Sequence, residues 1–156
     1  MIGFSETYSI IGTGCITTID IDGNNCSFLY DYGEVQNDNY KIKGIRFSVY
    51  LEGKSPLTGF TVNLIEFESM LKVVLITTNY NPNYQKKGIP ESIIPEIGSV
   101  LKRVICSSSN GARIYKSYDD EQRVPEAEDF WLRLKNNRPR NVVYDSERDI
   151  YIYNPN

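Results

Sequence analysis

A chain of 156 residues with 40% hydrophobic and 24% charged side chains has enough apolar material for one packed core, and it lacks the composition of a disordered tail. Its formal charge of -3 argues against the whole chain seeking nucleic acid or anionic membrane. The absence of histidine removes His-based triads and His-containing zinc sites. Cys15, Cys26 and Cys106 form no CxxC pair, so three reduced thiols in a cytoplasmic setting are expected. The opening MIGFSETYSIIG has no basic stretch ahead of its apolar residues, and no apolar run reaches about 18 residues. Neither a signal peptide nor a membrane span is expected.

In chain order, the first half reads as strands. Residues 15–22 alternate loosely and end in the turn Asp22-Gly23-Asn24-Asn25, and residues 26–30 follow. The polar stretch EVQNDNY, residues 34–40, predicts a loop, with a short helix within 31–40 as the alternative. Residues 42–51 read as a further strand. Residues 60–67 and 71–78 are rich in β-branched and aromatic side chains, and their short link predicts an antiparallel pair.

The period then changes. Ile89, Ile93, Ile94, Ile97 and Leu101 share one helical face, predicting a helix from Pro90 to about Val100. Pro90 suits its first turn, whereas Pro95 predicts a kink, or a cost of about 3 kcal/mol, because it cannot bond back to Glu91. Residues 103–108 read as a strand. The polar segment 107–123 is ambiguous, and Ala112 to Lys116 could begin a helix that presents Tyr115. The clearest helix is Pro125 to Asn136, with Ala127, Phe130, Trp131 and Leu134 on one face. Acidic residues near its start and basic ones near its end suit the helix dipole. Residues 141–144 and 148–153 predict a closing hairpin.

Within this frame Pro82-x-Tyr84-Gln85-Lys86-Lys87-Gly88-Ile89-Pro90 resembles the acetyl-CoA-binding loop of the GNAT acetyltransferase family, which follows the fourth strand and opens a helix. Ala127-x-x-Phe130-Trp131-x-x-Leu134 is similar to a late helix of that family, and the closing hairpin to its last two strands. The resemblance covers residues 60–153, and the amino-terminal third shares only strand content. It implies one α/β domain over residues 1–156, with a mixed, mostly antiparallel sheet flanked by helices. It also implies transfer of an acyl group from acetyl-CoA or a related acyl-CoA to an amine.

The implied site lies where strands 71–78 and 103–108 diverge. Gln85, Lys86, Lys87, Gly88 and Ile89 would hold the pyrophosphate, and a β-bulge in the 71–78 strand would pair with pantetheine. The start of a helix suits a doubly charged group on physical grounds as well. Glu66 and Glu68 are the candidate bases and Tyr115 a candidate hydroxyl. Two departures touch the chemistry. Pro90 stands where the family has Gly or Ala and supplies no N–H, and Trp131 stands where many members have a proton-donating tyrosine. The alternative is therefore a catalytically inactive binding or assembly domain. An amine substrate or a protein is the expected partner. A nucleic-acid role through Arg133, Arg138 and Arg140 is disfavoured, and no membrane partner is expected.

Overall fold

The computed structural model describes residues 3–38 and 41–156. Its centre is a mixed, mostly antiparallel sheet in the order β1-β2-β3-β4-β5-β6-β8-β7. The strands are β1 (Ile10–Ile19), β2 (Asn25–Asn37), β3 (Ile42–Tyr50), β4 (Phe60–Phe67), β5 (Met70–Thr77), β6 (Ile105–Cys106), β7 (Val142–Asp145) and β8 (Ile150–Tyr153). Helices α1 (Ile89–Leu101) and α2 (Pro125–Asn137) flank it. Neither helix is long and apolar enough to cross a membrane.

Local chemistry sets each connection. Between β1 and β2 the Asp20 carboxylate accepts the N–H groups of Asp22 and Asn24 at 2.9 and 2.8 Å, and Gly23 takes φ 84°. The second strand overturns the expectation for 34–40: β2 continues to Asn37. Val35 and Asn37 are buried while Glu34 and Gln36 are exposed, the period of a half-buried strand. Polar letters at 34, 36 and 37 hid this pattern because Asn37 turns inward. Residues 39 and 40 lie outside the described residues.

Strands β4 and β5 form the expected antiparallel pair, but their register shifts. Asn63 faces Leu75 and Leu64 faces Val73, so Val74 is an extra residue bulging from β5. Helix α1 buries Ile89, Ile93, Ile94 and Ile97 against the sheet, together with Leu64, Val73 and Trp131 in one core. It runs from Ile89 to Leu101 with Pro95 inside it, the helix expected over Pro90 to about Val100. The local cost is the missing N–H toward the Glu91 carbonyl, and the buried face offsets it. Strand β6 is shorter than the predicted 103–108, since Ser108 and Ser109 use their groups elsewhere. The sheet also curls: the Ile21 N–H reaches the Lys86 carbonyl at 3.1 Å and the Ser92 hydroxyl reaches the Thr17 carbonyl at 3.2 Å. The edge strand β1 is thereby brought against the start of α1.

Candidate functional site

Strands β5 and β6 run parallel for only two pairs, Leu71 with Ile105 and Lys72 with Cys106, and then diverge. A cleft of about 370 Å³ opens beside the diverging part of β5. Its floor is Val73, Val74, Leu75 and Ile76, and its far wall is Ala127, Phe130 and Trp131 of α2. Residues 116–124 form its rim. The bulge lies inside this cleft. Carbonyls that a full-length β6 would have bonded are met by side chains: the Ser108 hydroxyl donates to Val73 at 2.7 Å and the Tyr118 hydroxyl to Val74 at 3.3 Å. Burial, followed by the nearby Glu121 charge, pushes the Tyr118 phenol up to about 12. The group therefore stays protonated at neutral pH.

A buried ion pair holds the rim. Lys72 on β5 and Glu121 have fully buried side chains and meet at 3.0 Å. The Lys72 ammonium also donates to the Tyr115 carbonyl at 3.0 Å and the Ser117 hydroxyl at 3.1 Å, and it lies 3.6 Å from the Phe67 ring centre. Glu121 accepts two further N–H groups, from Ser109 at 2.8 Å and Ser117 at 2.9 Å. Burial depresses the Lys72 pKa against the Glu121 charge that holds it up. Arg123 adds a second tie, donating to the Ser108 carbonyl at 2.9 Å and to the Asp149 carboxylate at 2.8 Å. The segment from Ser107 to Arg123, ambiguous in sequence, is thus fixed by buried polar contacts rather than by regular structure.

At the end of β5 the chain turns through Asn81, whose side chain accepts the Asn83 N–H at 3.0 Å, and enters α1 at Gly88 with φ 73°. A Cβ on Gly88 would lie 2.4 Å from the Ile19 carbonyl, so curl and tight turn both demand glycine here. Gln85 and Lys86 form a hydrogen-bonded turn ahead of Gly88, and Lys86 takes φ 56°. The loop thus ends at the positive end of a 13-residue helix whose first residue is Ile89. Pro90 supplies no donor in the first turn, and Glu91 sets a carboxylate there, bonded to Arg133 of α2.

The predicted site residues fall in three places. Gln85 and Lys86 are exposed on the loop, Lys87 and Gly88 are half-buried, and the Ile89 side chain enters the core. Glu66 lies near the end of β4, paired with Leu71, and Glu68 in the turn to β5, both away from the cleft-lining stretch Val73–Ile76. Glu66 takes both arms of the Arg103 guanidinium at 2.7 Å, which holds its carboxyl below the usual range, and Glu68 accepts from Arg148 at 2.6 Å. Tyr115 ends a single 3-10 turn, not a helix, and its hydroxyl donates to Glu147 at 3.1 Å. Trp131 is 1% exposed and stacks on Tyr151 at 6.0 Å, forming part of the cleft wall. Tyr84 turns inward, and its hydroxyl accepts the Leu51 N–H at 3.1 Å.

Tyr118 is the residue that sequence reasoning missed. It lies in a polar run with no periodicity, and only the fold of the rim carries it to the bulge. Among the described residues, no group of three or more acidic or thiol side chains is placed to hold a metal ion. Compared with models of known families, with curated proteins and with solved structures, the chain matches none of them.

Proposed function

We propose that the chain binds an acyl-CoA along the bulged edge of β5 and transfers the acyl group to an amine, as the resemblance to GNAT acetyltransferases implies. The observation that carries this is the Tyr118 hydroxyl at the Val74 carbonyl, within a cleft opened by the parting of β5 and β6. When bound, such a cofactor supplies the acyl group already activated as a thioester. The edge Val73–Ile76 would align the linear arm, and the loop from Lys86 to Ile89 at the start of α1 would receive its phosphates. Tyr118 supplies the proton that the departing thiolate needs, the task Trp131 cannot perform. Glu66 and Glu68, occupied by arginines away from the cleft-lining stretch, are given no part, and deprotonation of the amine is left to solvent.

A non-catalytic binding or assembly role is the second reading, favoured by Pro90 and Glu91, which remove a donor and add a negative charge at the cradle. Calorimetric titration with acetyl-CoA separates the two, followed by thiol release in the presence of an amine panel. Saturable binding with turnover that falls at least tenfold in Tyr118→Phe supports acyl transfer. Binding with turnover unchanged in Tyr118→Phe removes the phenol from the mechanism. No heat at millimolar acetyl-CoA sinks the cofactor and leaves the binding role.

A further inference from the structure

Residues 3–9 cross the face of the sheet opposite α1 as an irregular strap. It joins no strand ladder, and the Asn37 amide donates to the Gly3 carbonyl. The Ser5 N–H donates to the Gln36 carbonyl at 3.2 Å, and Arg46 donates to the Ser5 and Glu6 carbonyls at 2.8 and 3.1 Å. Two side chains anchor it. The Tyr8 hydroxyl donates to Asp31 and lies 2.7 Å from the Ser48 hydroxyl. Phe4 packs with Ile42, Ile65, Val74 and Tyr118 in an apolar patch separate from the main core. Val74 and Tyr118 belong both to this patch and to the cleft. The strap therefore packs against the cluster that holds the side chain whose hydroxyl enters the cleft.

Asp31 is 4% exposed, and the Tyr8 hydroxyl of the strap bonds to it. A buried carboxylate needs donors, and Tyr8 supplies one from the cover itself. We propose that residues 3–9 are a displaceable cover that positions Tyr118 in the cleft, with Tyr8 on Asp31 as its catch. The role of Tyr118 rests on the acyl-transfer reading, but the cover does not. Opening the strap rehydrates Asp31 and removes Phe4 from behind the Tyr118 ring, which is then free to leave the Val74 carbonyl. Phe4 and Tyr8 act through Tyr118 and are positioning residues.

The test uses Tyr8→Phe and Phe4→Ala in the full chain, with two readouts that need no cofactor. Amide exchange at Ser5 is expected to accelerate by about tenfold or more in Tyr8→Phe, because a hydrogen bond to a charged group is lost, while amides of α1 keep their rates. The Tyr118 phenol, followed by NMR on ζ-carbon-labelled tyrosine, should fall from about 12 toward its ordinary 10.0 in both variants. Phe4→Leu should restore it. Unchanged exchange and titration overturn the proposal, as does equal acceleration in α1, which would make the strap inseparable from the core. A failed acetyl-CoA titration alongside the expected shifts would reject acyl transfer and keep the cover.

Discussion

The Lys72–Glu121 pair offers a sharp test of how the cleft rim is held. Both side chains are fully buried, but their surroundings differ. Glu121 keeps the Ser109 and Ser117 N–H groups if Lys72 is removed, so its charge retains two donors. Lys72 without Glu121 keeps only the Tyr115 carbonyl, the Ser117 hydroxyl and the Phe67 ring, and the two N–H groups lose their acceptor. Removing one partner of a buried pair costs about 3–5 kcal/mol. Lys72→Met should fall near the low end and Glu121→Leu near the high end. In the double variant no charge is stranded, so its cost should be lower than the sum by about 2 kcal/mol or more. Urea unfolding at pH 7, with slopes checked for constancy, measures all three. Glu121→Leu costing less than Lys72→Met, or a coupling below about 0.5 kcal/mol, would refute the reasoning.

Trp131→Ala should lower stability by about 3–5 kcal/mol, since its ring is 1% exposed and stacked on Tyr151; a loss under about 1 kcal/mol in urea unfolding would contradict its burial. Burial raises the Cys106 thiol from its ordinary 9.0 to about 12. A raised folded pKa means that the unfolded chain releases the proton first, so this stability is complete below pH 9 and is lost as pH rises through 12. The loss is at most about 4 kcal/mol, and Cys106→Ala should flatten the alkaline decline; parallel stability curves would refute it. Gly88→Ala should cost more than about 1 kcal/mol, through both its φ of 73° and the Ile19 carbonyl 2.4 Å from the new Cβ. An unchanged melting temperature would show that the loop relaxes freely.

By itself the sequence determined the elements whose periods are strong. The apolar run through 71–76, the 3.6-residue repeat of α2 and the isoleucine face of α1 each bury one continuous surface, and hydrophobic periodicity records that directly. The resemblance to GNAT acetyltransferases, not periodicity, implied the parting of two strands. Tertiary structure decided the rest, because it depended on partners distant in sequence. Residues 34–37 became strand only because β3 lay beside them to take their hydrogen bonds. Pro95 stayed inside a helix because its neighbours' burial against the sheet outweighs one missing N–H. The bulge at Val74 exists only in the register between β4 and β5. Tyr118 reached that bulge because Lys72 and Glu121, 49 positions apart, close a buried ion pair that shapes an otherwise patternless segment. Local letters encode which surface must be buried; where a polar side chain finds its partner is set by the chain folding back upon itself.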